Sequence, residues 1–187
     1  ISAHTMGTPL LSLEKAILLF EKIGFEGVEI IVADDYECGL KVNSTLKEIK
    51  KIEELIKNLN INVSNLVPYT KNFNSSIKEE RLQSIDEFKS FIDAAEILNC
   101  PNVRIWSGID PDEKNYNEDS YNYLVDSLAI LGNYLEGTSI KANVENHPYT
   151  EATTAIKTVE LIEQINSTNI GILYDPGNLI YLGDLNY

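Results

Sequence analysis

Asn143-Val144-Glu145-Asn146-His147-Pro148 and its later echo Leu173-Tyr174-Asp175-Pro176-Gly177-Asn178 share one layout. Each is a short apolar run that ends in a carboxylate and then breaks at a proline, and each follows a segment with helical periodicity. Parallel strands whose carboxyl ends open into functional loops have this layout, because the strand is buried under flanking helices while its last residues reach a surface. Glu145 and Asp175 are the first candidates for function, and the remaining chain can be read as the scaffold that brings them together.

Upstream, the same alternation repeats. Ser12 is a plausible N-cap for Lys15, Ala16, Leu18, Leu19 and Ile23 at helical spacing, with Gly24 as the stop. Val28 to Val32 is a β-branched run and reads as a strand. Asn43-Ser44-Thr45 precede a Lys/Glu-rich helix carrying Leu46, Ile49, Ile52, Leu55, Ile56 and Leu59, whose charged run Lys47 to Lys57 is a solvated face. Ile61 to Val67 is the next strand, closed by Pro68. Ser75 or Ser76 opens a long helix to about Leu98, with Ile85, Phe88, Ile92 and Ala95 inward. Val103 to Trp106 and Ile140 to Glu145 are strands separated by a helix over 121–135. Thr150 onward reads as a helix with Ile156, Val159, Ile162 and Ile165 as its apolar stripe, followed by the strand Ile170 to Tyr174. The order is βα repeated, hence an α/β fold with parallel crossovers: either a barrel or an open doubly wound sheet.

Strand parity separates the two. Successive side chains point to opposite faces of a strand. One parity is apolar throughout: Val28 and Ile30, Ile61 and Val63, Val103 and Ile105, Ala142 and Val144, Ile170 and Ile172. The other carries Ser2 and His4, Glu29, Ser64 and Leu66, Arg104 and Trp106, Asn143 and Glu145, Leu173 and Asp175. An open sheet sandwiched between helices makes both parities apolar. A helix-facing parity beside a polar, convergent one is the pattern of a closed barrel with a site at its mouth.

Composition limits the partners. The 187-residue chain carries a formal net charge of −14 with a pI near 4.5, which opposes binding to nucleic acid or anionic membrane. Cys38 and Cys100 are distant in sequence and form no ligand-spaced pair, which suits a reducing compartment. No secretory pattern or span of ~18 apolar residues is present, so a cytoplasmic location is the default expectation. The chain starts at Ile1-Ser2-Ala3-His4, read as the tail of a strand, and ends at Gly183-Asp184-Leu185-Asn186-Tyr187 just after a new loop. A fragment of a longer protein is expected.

Glu145, Asp175 and His147 are of the types that bind divalent cations, since carboxylate oxygen and imidazole nitrogen suit manganese, cobalt, zinc or magnesium. Spacing alone leaves metal binding and loop capping as equal alternatives. Arg104 and Glu29 share the inward parity, and the plain reading is an ion pair between them.

The chain resembles the xylose-isomerase-like TIM-barrel superfamily, the sugar phosphate isomerase/epimerase group. The resemblance rests on Gly24-Phe25-Glu26-Gly27-Val28-Glu29-Ile30, Val103-Arg104-Ile105-Trp106-Ser107-Gly108, Val144-Glu145-Asn146-His147 and Tyr174-Asp175-Pro176-Gly177-Asn178. It implies one (β/α)8 TIM-barrel domain over 1–187, of which about the first six βα units are present, clipped within strand one and lacking strands seven and eight. It implies a divalent metal (manganese, cobalt, zinc or magnesium) held by Glu145 and Asp175, with two further ligands on the missing strands. The reaction implied is isomerisation or epimerisation of a sugar or sugar phosphate, with proton transfer next to a carbonyl and a metal-stabilised enediolate. Glu145 would be a catalytic base, His147 and Asn178 would hydrogen-bond substrate hydroxyls or metal-bound water, and His4, Glu29 and Trp106 would line the pocket, Trp106 covering the apolar face of a sugar. Two other readings compete. An endonuclease IV-like repair enzyme of the same superfamily needs histidines where Leu66, Trp106 and Asn178 stand, in a chain with two histidines in all. A non-catalytic barrel that only binds is the alternative of another class. If the chain stopped at Tyr187 its exposed sheet edge would call for pairing with another chain, a homo-oligomer included.

Overall fold

The computed structural model describes residues 1–181, so the loop expected at Gly183–Tyr187 lies outside the described residues. Its elements alternate: β1 (Ser2–His4), α1 (Leu13–Ile23), β2 (Gly27–Val32), α2 (Leu46–Lys57), β3 (Asn62–Pro68), α3 (Lys78–Ile97), β4 (Asn102–Ile105), α4 (Ser120–Tyr134), β5 (Lys141–Glu145), α5 (Ala155–Ile165), β6 (Ile170–Leu173) and α6 (Pro176–Tyr181). The strands form one sheet in the order β1-β2-β3-β4-β5-β6. The pairings β1–β2, β2–β3, β3–β4 and β5–β6 are parallel. A doubly wound sheet reverses its strand order at a switch point, whereas a TIM-type barrel adds each strand beside the last. Six consecutive strands without reversal are a partial (β/α)8 barrel. Contacts group the chain into two compact units, one of Ile1–Tyr69 with Ser90–Val103 and one of Thr70–Lys89 with the chain from Arg104 onward.

In the first unit the helices begin and end where the sequence signals them. The Ser12 hydroxyl accepts from the Lys15 amide at the start of α1. Gly24, at φ 101°, ends it, and the Phe25 amide reaches back to the Phe20 carbonyl. Only glycine takes that left-handed conformation without steric cost. Thr45 and Glu48 form a reciprocal capping box on α2. The apolar parity of the strands is buried, with Val28, Ile30, Ile61, Val63 and Val103 at 3% exposure or less.

The expected parity fails on β3. Val28 pairs with Val63, but Glu29 pairs with Asn65 and Ile30 with Leu66. Ser64 is the extra residue of a bulge, its hydroxyl donating to the Val28 carbonyl at 3.2 Å. One inserted residue exchanges the faces of everything beyond it. Leu66 therefore shares a face with Ile30 and is fully buried, while Asn65, not Ser64 or Leu66, takes the face of Glu29.

Cys38 and Cys100 are buried free thiols. Burial pushes the Cys100 thiol up to about 12, against the weaker opposing effect of its hydrogen bond to the Asn102 carbonyl. A thiol so held is not a nucleophile near neutral pH. An aromatic disulfide reagent at pH 8 should leave Cys100 unmodified in the folded protein and react with it in denaturant; rapid native labelling would contradict this burial.

In the second unit Phe73 meets Phe88 edge-on at 5.7 Å, and the Ser127 hydroxyl on α4 donates to the Phe73 carbonyl at 2.7 Å. On α3, Ile85 and Phe88 are buried as expected, as are Ile92 and Ala95 in its other half. The expectation for α5 is corrected. The helix begins at Ala155 rather than Thr150, with the Thr154 hydroxyl capping it, and Thr150 instead donates to the His147 carbonyl in the preceding loop. Its buried face is Thr158, Leu161 and Ile165, whereas Ile156 is 71% and Val159 43% exposed. Of the expected stripe Ile165 does lie inward, but Ile156 and Val159 do not, and Thr158, its hydroxyl bonded to the Thr154 carbonyl, is turned inward instead. Ile172, expected against helices, is 42% exposed on β6, which has β5 as its paired neighbour among the described residues.

Candidate active site at the ends of β5 and β6

The carboxyl ends of β5 and β6 are locked by one side chain. Asn146 is fully buried, its Nδ2 donates to the Asp175 carbonyl at 2.7 Å, and its Oδ1 accepts from the Asp175 amide at 2.7 Å. An amide side chain offers a donor and an acceptor side by side, so it can pair with one residue's N–H and C=O as a strand would. The lock continues the ladder, in which Glu145 pairs with Leu173, past the last strand residues. Asn178 closes it by donating from Nδ2 to the Asn146 carbonyl at 2.9 Å.

Pro176 does not simply break the chain; it starts α6. Proline suits a first helical position, where its missing N–H costs nothing. Asp175 Oδ1 accepts from the Gly177 and Asn178 amides at 2.7 and 3.3 Å, capping that first turn. One carboxylate oxygen is thereby pinned, and Oδ2 takes no hydrogen bond among the described residues.

Glu145 is pinned in a similar way by a different group. Arg104 on β4 is 2% exposed and donates from Nη1 to Glu145 Oε2 at 2.8 Å. Glu145 Oε1 takes no hydrogen bond among the described residues. Burial raises the Glu145 carboxyl above the usual range; Arg104 opposes it most, then His147, while Asp175 adds to it. The Arg104 guanidinium lies 5.1 Å from the centre of the Trp106 ring, and Trp106 lies against His147 with ring centres 4.0 Å apart. His147 Nδ1 is 2.7 Å from the Pro148 carbonyl. In the neutral ring Nδ1–H donates there and Nε2 keeps the lone pair. The loop carrying Trp106 is tied at Gly108, which has φ 92° and where a Cβ would fall 2.6 Å from the Asn74 amide that bonds Ile109.

Of the expected site residues, Trp106, Glu145, His147, Asp175 and Asn178 lie in this one unit and at these strand and loop ends. His4 and Glu29 belong to the other unit, where His4 pairs in register with Glu29. His4 Nδ1 accepts from the Met6 amide, capping a short 3-10 turn. The Arg104 guanidinium holds Glu145, and Glu29 accepts from Asn65 Nδ2 at 3.5 Å. Strand parity set Arg104 on the inward face but not its reach across to β5.

The donor set fits a divalent cation in part. Two carboxylates on neighbouring strand ends each have one oxygen without a hydrogen bond among the described residues, and hard oxygen donors suit manganese, magnesium, cobalt or zinc. Among the described residues no third histidine, cysteine, aspartate or glutamate joins them.

A sequence profile of the xylose isomerase-like TIM barrel family matches residues 17–187. The chain belongs to this family. Comparison with curated protein sequences gave no match. Among solved structures the fold is similar to a D-tagatose 3-epimerase-like protein (21% identity, TM-score 0.79, covering 95% of this chain and 65% of that one). It is also similar to the IolI protein with a bound zinc atom (21%, TM-score 0.80, 97% and 64%). A third is L-ribulose 3-epimerase (17%, TM-score 0.80, 97% and 62%). The chain thus spans less than two thirds of the length of these three proteins, and the likeness is one of fold.

Sequence reasoning within the family pattern passed over Asn146 and Asn65. Asn146 stands between two quoted site residues, and only its burial shows that it binds backbone rather than ligand. Asn65 was hidden by the bulge.

Proposed function

We propose that the protein is a metal-dependent sugar or sugar phosphate isomerase or epimerase built on one xylose isomerase-like barrel domain. The observation that carries the reading is the pair of carboxylates at adjacent strand ends, each anchored through one oxygen with the other left open. Glu145 and Asp175 would hold a divalent cation, which supplies Lewis-acid polarisation of a substrate carbonyl. The chain's own groups do the rest. Glu145, at the end of β5, would take a proton from the carbon beside that carbonyl. His147, through Nε2, accepts a bond from a substrate hydroxyl, and the Asn178 amide keeps its Oδ1 for the same task. Trp106, held between Arg104 and His147, covers the apolar face of a sugar.

The test is a melting experiment with manganese or cobalt on the intact protein, followed by a screen of ketoses for epimerisation. The metal should raise the melting temperature, and Asp175→Asn should abolish the rise. Asparagine can still cap α6, so this variant removes the ligand charge and spares the helix start. A wild-type protein indifferent to divalent metals would instead favour a barrel that binds without turnover.

A further inference from the structure

We propose that Arg104 is a positioning residue that fixes which oxygen of Glu145 faces the cation. The inference rests on the metal reading above and adds a residue that reading does not use. Glu145 sits at the end of β5 with Oε2 held at 2.8 Å by a guanidinium that is itself 2% exposed. A buried arginine cannot release its proton, so the cation that holds Oε2 is always present. The guanidinium is in turn braced by the Trp106 ring at 5.1 Å, and that ring by His147 at 4.0 Å. The carboxylate is thus oriented from behind. Oε2 is taken by the protein while Oε1 has no hydrogen bond among the described residues, so Glu145 would offer a cation one oxygen rather than two.

The same device appears at Asp175, where two backbone amides hold Oδ1 and leave Oδ2. The Asp175 carboxylate takes its bonds from main-chain amides, while the Glu145 carboxylate depends on one side chain. Arg104 is therefore the adjustable part of the site. Electrostatics and orientation make opposite predictions for its loss. A nearby positive charge repels a cation, so removing it should tighten metal binding if Arg104 acted only as a charge. If it acts by orienting Glu145, binding should weaken and the coordination should change.

The experiment compares wild type with Arg104→Met and Arg104→Lys in the intact protein. It measures manganese affinity by titration calorimetry and the visible absorption of the bound cobalt ion. Far-UV circular dichroism without metal checks folding. Arg104→Met should weaken manganese about tenfold, in the range seen when groups behind metal ligands are removed. Its cobalt spectrum should weaken as Glu145 gains a second coordinating oxygen. Arg104→Lys, whose ammonium can still reach Oε2, should recover the wild-type spectrum and most of the affinity. If Arg104→Met does not fold, Arg104→Gln replaces it in the same comparison. Equal or tighter binding with an unchanged spectrum overturns the orienting role while leaving the metal site in place. A wild type that binds neither ion overturns the metal reading itself, and this inference with it.

Discussion

Replacing Glu145 with alanine is expected to destabilise the protein by about 3–5 kcal/mol, the range found when one partner of a buried ion pair is removed. Arg104, at 2% exposure, would be left with its charge and without the carboxylate. Replacing both residues, as Arg104→Met with Glu145→Leu, should recover most of that loss, because two apolar side chains need no desolvation. Urea unfolding of the two singles and the double measures the cycle. A Glu145→Ala cost below about 1 kcal/mol would mean the pair is solvated. The opposite single should be milder, since glutamate can take up a proton and arginine cannot. Burial already raises the Glu145 carboxyl, with Arg104 the main opposing influence. An acid with a raised folded pKa holds its proton more tightly when folded. Its contribution is therefore present at low pH and is lost as pH climbs from the ordinary carboxylate value of about 4.3. Arg104→Met removes the opposing cation, so the variant should lose more stability between pH 5 and pH 8 than wild type does.

Asn146→Leu should be the other severe change, at roughly 2–4 kcal/mol, from two part-buried backbone groups of Asp175 left without the partner that the fully buried Asn146 supplies. For a chain of this size that is a fall of about 5–15 °C in melting temperature. It should also abolish stabilisation by manganese, because Asp175 is placed by the bonds that Asn146 makes. Faster hydrogen exchange at the Asp175 amide would locate the damage. A melting temperature within about 2 °C of wild type would show that the lock contributes little.

Much of the fold can be read from the residues, and the reasons are local. Ser12, Gly24, Thr45 and Glu48 act on backbone groups a few positions away, so the starts of α1 and α2 and the end of α1 are written beside them. The apolar strand parity follows from alternation, which is a property of the strand itself. The same logic fails where a distant strand intervenes. Nothing near Ser64 announces a bulge, and its effect is to exchange Leu66 for Asn65 beside Glu29. The inward turn of Thr158 on α5 depends on a hydroxyl bond to the Thr154 carbonyl, which lets a polar residue occupy the buried face that spacing assigned to isoleucine.

The candidate site divides along the same line. The sequence by itself marked Glu145 and Asp175, because a carboxylate at the end of an apolar run stands out against its neighbours. It also set the family pattern around them. Only the tertiary structure decided what holds them: Arg104 reaching from β4 to Glu145, and Asn146 joining the ends of β5 and β6. Those bonds join residues 41 and 29 positions apart. Their formation depends on which side chains the sheet places within 3 Å of each other, a consequence of strand register and burial that no local pattern encodes.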